Sequence, residues 1–227
     1  MFANIFSTLI DFEPYPSLIL FTCGCNLRCK YCYNHDLISA TNQTLISEQD
    51  ADKLIDRYRQ FIDGIVISGG EPTLHQNKLI PFLTKQKQKG LKIKIDSNLT
   101  LPLTQQLLDL IDGVSFTIKP YSYYTQTRYI NTLKSNLRRI NASNIQWKEA
   151  RITVVRESDL VTSILSLIDD ITTWKITVHN AIFPETGILS MDDSDIIMSH
   201  SEYEDFTRKH ILPVVNQRLD NVEVRYA

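Results

Sequence analysis

The sequence predicts an α/β fold, a partial parallel (β/α)6 barrel, on three observations. Short runs rich in Ile, Val, Leu and Phe alternate with segments of helical periodicity, each connection is long enough to hold a helix, and polar punctuation falls at the ends of the apolar runs. Strands joined through helices lie parallel with the helices outside, and about six such units curl into an incomplete barrel. In parallel barrels the working residues gather at the carboxyl ends of the strands.

Residues 17–22 (Ser-Leu-Ile-Leu-Phe-Thr) form the first buried strand and lead into a cysteine-rich loop. Ser47 starts a helix whose apolar positions Ala51, Leu54, Ile55, Tyr58, Phe61 and Ile62 keep helical spacing. Strand 65–68 follows, then helix 79–89 with Gly90 placed to end it, then the alternating strand 91–96. The pattern continues as helix 103–111, strand 114–118, helix 125–140, strand 147–155, helix 159–171 and strand 175–178. A helix over 202–219, interrupted by Pro213, and a strand over 222–226 close the chain. The acidic stretch 186–201, with Asp192, Asp193 and Asp195, reads as a solvated loop.

With 227 residues, 43% of them hydrophobic, the chain can bury a full core as one domain over 1–227. Its core spans about 15–180, and the helix and strand of about 200–227 form an extension. A formal net charge of -2 gives no electrostatic case for nucleic acid or an anionic membrane as partner. The N-terminal residues are apolar but lack a basic region and are soon broken by Asp11, Glu13 and Pro14. They read neither as a signal peptide nor as a membrane span. Four cysteines, three of them within eight residues, make a poor disulfide framework, and thiolate ligands need a reducing compartment, so the expected location is the cytoplasm.

Cys25, Cys29 and Cys32 leave gaps of three and two residues. Closely spaced thiolates on a turning loop can reach three irons of a cubic cluster and leave the fourth open for a substrate or cofactor. A zinc knuckle is the competing reading, with His35 as a possible fourth ligand, because Cys23 lies too near Cys25 to join the same cage. At the end of the second strand, Gly69-Gly70-Glu71-Pro72 exposes backbone that a ligand could approach and adds a carboxylate suited to an ammonium group. Alone, the glycine pair reads equally as a tight turn.

Taken together, the cysteine spacing and a Gly-Gly-Glu-Pro strand end about forty residues later resemble the radical S-adenosylmethionine enzymes. The resemblance covers most of the chain and implies a [4Fe-4S] cluster on Cys25, Cys29 and Cys32, with S-adenosylmethionine on the open iron. It implies that Gly69, Gly70, Glu71 and Pro72 form the segment that holds the methionine amino group. Tyr31 then matches the aromatic residue flanking the adenine. Reductive cleavage of the sulfonium would release a 5'-deoxyadenosyl radical that abstracts hydrogen, with the hard chemistry carried by the cofactors. Within the family, residues 6–12, 21–34, 66–74 and 94–98 are similar to the glycyl-radical-enzyme activating proteins, in particular the subgroup serving the anaerobic ribonucleoside-triphosphate reductase.

That subgroup implies a protein substrate, the glycyl-radical enzyme, and a low-potential electron donor such as flavodoxin or ferredoxin. It adds Ser97, Asn98, Lys119 and Arg151 to the cofactor side of the site, and it places His179 near the adenine. A small-molecule enzyme resembling the 7-carboxy-7-deazaguanine synthases is the alternative. The sequence departs from the subgroup in three places. Leu99 stands where a glycine is usual, Thr117 replaces an aspartate that would share a cation with Asp96, and Tyr33 replaces a histidine. Cys23 reads as a buried thiol outside the ligand set.

Overall fold

A computed structural model describes residues 1–39, 44–157, 159–181 and 196–225. Eight strands form one sheet in chain order: β1 (Phe2–Thr8), β2 (Ser17–Thr22), β3 (Gly64–Gly69), β4 (Lys92–Asp96), β5 (Gly113–Ile118), β6 (Trp147–Val154), β7 (Lys175–Asn180) and β8 (Val222–Arg225). Every pair from β2 to β8 is parallel. Helices α1 (Glu48–Tyr58), α2 (Gln76–Gln88), α3 (Gln105–Leu110), α4 (Thr127–Asn141) and α5 (Leu160–Leu167) make the crossovers between β2 and β7. The described residues therefore carry the expected partial parallel barrel. Most of the 186–201 loop and the end of the last strand, 226–227, lie outside the described residues.

Sequence reasoning missed β1. It pairs antiparallel with β2, Phe6 opposite Ile19 and Thr8 opposite Ser17, because the short connection 9–16 cannot hold a crossover helix. Its last residues and that connection fold beneath the barrel, where Phe12 is fully buried beside Ile19 and Val66. Phe12 closes the amino end of the lumen, and a Cβ on Gly113 would lie only 2.8 Å from its ring.

The strands divide by face. Leu18 and Leu20, Ile65 and Ile67, Ile93 and Ile95, Val114 and Phe116, Ile152 and Val154, and Ile176 and Val178 are all buried in one core with Leu83, Leu107, Leu133, Leu137 and Ile164 of the helices. Side chains alternate along a strand, so the intervening positions (Ser68, Lys94, Asp96, Ser115, Glu149, Arg151, Thr177 and His179) face the lumen, which is polar above the apolar floor of Phe12, Ile19 and Val66. Burial outside thus leaves chemistry inside.

Local capping fixes the helix starts: Ser47 accepts the Asp50 N–H at 3.1 Å, and Ser199 and Glu202 form a reciprocal capping box. The C-terminal helix is three pieces, α6 (His200–Phe206), a π-helical turn (Thr207–Ile211) and α7 (Leu212–Val215). Pro213 has no N–H for the preceding turn, and the widened turn absorbs that loss.

Candidate functional site

A cavity of about 380 Å³ opens at the carboxyl ends of the strands. Of the residues singled out from the sequence, Cys25, Cys29, Cys32, Tyr31, Gly69, Gly70, Ser97, Asn98, Lys119, Arg151 and His179 all line it. Segments far apart in the chain thus meet at one place.

The cysteine loop is stapled to the end of β3. Gly70 N–H donates to Thr22 C=O at 2.9 Å, and Glu71 N–H donates to Gly24 C=O at 2.7 Å. Both glycines are required by this contact. Gly69 has φ +112° and a Cβ there would lie 2.4 Å from Thr22 backbone, while one on Gly70 would lie 2.1 Å from Gly24 O. The pair therefore serves the close approach of two backbones as well as bordering the cavity.

Glu71 and Pro72, also singled out from the sequence, do not line the cavity. Glu71 is fully buried and its carboxylate is turned inward. Oε1 accepts from Thr73 N (3.0 Å), Thr73 Oγ1 (2.5 Å) and Ser97 Oγ (2.7 Å), and Oε2 accepts from Asn98 N (2.7 Å). A carboxylate so occupied ties the end of β3 to the end of β4. Pro72 is buried at the start of a short 3-10 turn, Pro72–His75.

Asn98 carries the linkage on to the cysteines. Its Nδ2 donates to Asn26 Oδ1 at 2.9 Å and reaches Cys25 Sγ at 3.9 Å, and Leu27 N–H approaches the same sulfur at 3.4 Å. N–H donors directed at sulfur are what a thiolate ligand takes up. Leu99, where a glycine was expected, itself adopts the left-handed conformation at φ 56°. Such a turn costs about 1–3 kcal/mol without glycine. It is held by Ser97 Oγ, which accepts Leu99 N–H at 3.0 Å, and by Asn136 Nδ2, which donates to Leu99 C=O at 2.9 Å.

Burial pushes all three thiols up, Cys29 to about 11, and their mutual proximity adds to the effect on Cys25 and Cys29, while the Lys119 ammonium opposes it at each. Soft thiols with raised pKa values become ligands when a metal ion supplies the compensating charge. A cubane takes its cysteines at separate corners. His35, the candidate fourth zinc ligand, does not line the cavity and lies 2.9 Å from Asp36. Cys23 is buried against Ala3 and Leu37, also away from it. Tyr31 is nearly buried, with its ring edge-on to Tyr123 at 5.5 Å.

The lumen below holds an ionic network. Asp96 Oδ1 accepts from Lys94 Nζ (2.7 Å) and Ser115 Oγ (2.5 Å), and Oδ2 accepts from Arg151 Nη1 (3.3 Å). Arg151 Nε donates to Glu149 Oε2 at 2.8 Å, and Thr177 Oγ1 donates to Glu149 Oε1 at 2.6 Å. Burial opposes ionisation of Asp96, but Arg151 and Lys94 outweigh it and hold the carboxyl well below its usual range. Both Asp96 oxygens are thus engaged by protein groups beside Thr117. Lys94 and Glu149 were not singled out from the sequence, although each lies two residues before a lumen-facing residue, Asp96 or Arg151, and the strand period places them on the same face.

His179 Nε2 lies 2.9 Å from Thr153 Oγ1. Burial, then the nearby Arg151, lowers its pKa to about 4. The unfolded chain therefore takes up this proton first, and stability is expected to fall as pH drops from about 6.5 towards 4. The loss should reach about 2 kcal/mol, less than the full shift because the ring is partly solvated. Urea denaturation of His179→Gln across that range should show this component gone; an unchanged slope would contradict it.

Among the described residues no helix is long and apolar enough to cross a membrane. A family model described as the radical SAM superfamily matches residues 19–159. A Methanocaldococcus jannaschii protein named as a glycyl-radical enzyme activating enzyme is 37% identical over 116 residues, 48% of this chain and 46% of that one. The pyruvate formate-lyase-activating enzyme of Listeria monocytogenes is 40% identical over 83 residues, 35% of this chain and 34% of that one. The matches thus span less than half of these relatives' own lengths. Among solved structures, Streptococcus suis SuiB bound to S-adenosylmethionine superimposes with TM-score 0.63 at 12% identity, over 91% of this chain and 51% of that one. QueE from Escherichia coli superimposes with TM-score 0.58 at 16% identity, over 100% and 93%. At those identities the structures show a shared fold. With the family match over most of the barrel, the chain belongs to the radical SAM superfamily, whose enzymes use a [4Fe-4S] cluster and S-adenosylmethionine.

Proposed function

We propose that this chain installs a glycyl radical on a partner enzyme, the anaerobic ribonucleoside-triphosphate reductase, acting as one domain over 1–227 in a reducing, cytoplasmic setting. Cys25, Cys29 and Cys32 hold the cluster, and Asn98 and Leu27 direct N–H groups at the first of these sulfurs. The backbone end of β3 at Ser68–Gly70 receives the amino group of S-adenosylmethionine, in place of the inward-turned Glu71. Lys119 and Arg151 receive its carboxylate, while Tyr31, Ser97 and His179 border the nucleoside. A reduced cluster held there would supply the electron for reductive cleavage of S-adenosylmethionine to methionine and a 5'-deoxyadenosyl radical, the species that would take a hydrogen atom from a glycine Cα and leave as 5'-deoxyadenosine.

The observation that carries the reading of a protein substrate is the open flank of the lumen. A second cavity of about 410 Å³ runs beside β1, shares Tyr33, Asn34, Ser68, Asp96 and Arg151 with the first, and is bordered by Phe6. Phe6 (57%) and Tyr33 (64%) are exposed at that cavity. A wide entrance with an apolar lip suits a polypeptide loop. The electron donor is a flavodoxin or ferredoxin.

The test is to reduce the reconstituted protein with S-adenosylmethionine and the reductase and record the electron paramagnetic resonance spectrum. A glycyl-radical doublet on the reductase is expected. Its absence, with turnover of a pterin-like substrate instead, would move the assignment to the 7-carboxy-7-deazaguanine synthase type.

A further inference from the structure

Lys94 is an unusual residue for a barrel interior. Its side chain is fully buried, with Nζ 2.7 Å from Asp96 Oδ1, donating to Asp11 C=O at 2.5 Å, and 4.4 Å from the centre of the Trp147 ring. Of these partners only Asp96 lines the cavity, and Lys94 itself does not. A buried ammonium is costly unless it does something for its partners. Its main partner, Asp96, also binds Arg151, which does line the cavity.

Charge sets the consequence. Lys94 and Arg151 carry +2 and Asp96 and Glu149 carry -2, so these four groups sum to zero, with Asp11 a further carboxylate at the edge of the network. Arg151 spends Nε on Glu149 and Nη1 on Asp96, but its Nη2 stands 4.0 Å from Asp11 Oδ1, beyond hydrogen-bond reach. Without Lys94, two buried carboxylates would face one guanidinium. The floor of the cavity would then carry a net negative charge and draw Arg151 down onto Asp96.

We propose that Lys94 is a positioning residue: it neutralises Asp96 from behind, so that Arg151 keeps its charge and its Nη2 donors for the carboxylate of S-adenosylmethionine. The inference rests on the reading of this cavity as the cofactor site with Arg151 on the carboxylate side. It assigns a task to a lysine that never touches the ligand. Asp96 is the intermediary, and Ser115 and Thr177 hold the two carboxylates in register.

The test measures binding to the anaerobically reconstituted protein by equilibrium dialysis, with iron content checked for each variant. Two probes are used, S-adenosylmethionine and its decarboxylated analogue. Lys94→Met should weaken S-adenosylmethionine about tenfold and leave the decarboxylated analogue unaffected. The double variant Lys94→Met with Asp96→Asn restores a net charge of zero and should recover binding to within about threefold of the unmodified protein. Unchanged binding in Lys94→Met, equal loss with both probes, or no recovery in the double variant would each overturn the proposal. Should Lys94→Met fail to fold, Asp96→Asn alone must bind S-adenosylmethionine at least as tightly as the unmodified protein, and weaker binding would overturn it. Arg151→Gln separates the two levels. Normal binding there would remove the placement of the carboxylate on Arg151 and the inference with it, whereas weak binding there with normal Lys94→Met would remove the inference alone.

Discussion

Cys29→Ala is expected to abolish iron incorporation and reductive cleavage of S-adenosylmethionine, while Cys23→Ala leaves both within about twofold of the unmodified chain. The contrast follows from position. Cys29 lines the cavity together with Cys25 and Cys32, and its thiol is sensitive to the charge of both. A cluster with three protein ligands has no spare one, so loss of a thiolate loses the site. Cys23 sits only two residues before Cys25, yet it faces a small apolar cluster with Ala3 and Leu37. Its backbone carbonyl, which lies 2.6 Å from His75 Nε2, survives the substitution. Iron and sulfide analysis with product chromatography decides the matter, and equal loss in both variants would mean that the ligand set is wrong.

Gly70→Ala should be nearly as damaging without touching a ligand. The added methyl would meet Gly24 O at 2.1 Å and its carbonyl carbon at 2.7 Å, both backbone atoms of the cysteine loop. Neither a rotamer change nor a small shift relieves a backbone collision of that size. The staple between Glu71 N–H and Gly24 C=O must open, and the loop moves off the end of β3. We expect a loss of at least about 3 kcal/mol in urea denaturation together with a fall in iron content. Unchanged stability and full iron loading would show that the two backbones are not packed as described.

Much of the barrel was legible because burial and periodicity agree. Strands such as 65–68 and 114–118 are flanked by helices with clear apolar stripes, so their order and parallel sense follow from connection length. β1 was not legible: Phe2-Ala3-Asn4-Ile5-Phe6-Ser7-Thr8 alternates poorly, and only pairing with β2 gives it strand geometry. The cavity-lining residues could be collected because strand ends converge, but the direction of a side chain could not. Glu71 turns inward because Thr73, Ser97 and Asn98, one of them local and two from the next strand's end, supply donors for both its oxygens. Leu99 shows the same limit, since its left-handed turn depends on Asn136 of α4, thirty-seven residues away. Lys94 and Glu149 follow from the period-two rule on the inner face, each two residues before Asp96 or Arg151.

The most direct measurement is the electron paramagnetic resonance spectrum of the reduced, reconstituted protein before and after addition of S-adenosylmethionine. An open iron at a cluster on Cys25, Cys29 and Cys32 predicts a [4Fe-4S] signal whose g values shift when the cofactor is added. A protein that takes up zinc instead, or a cluster signal that S-adenosylmethionine leaves unchanged, would contradict the account.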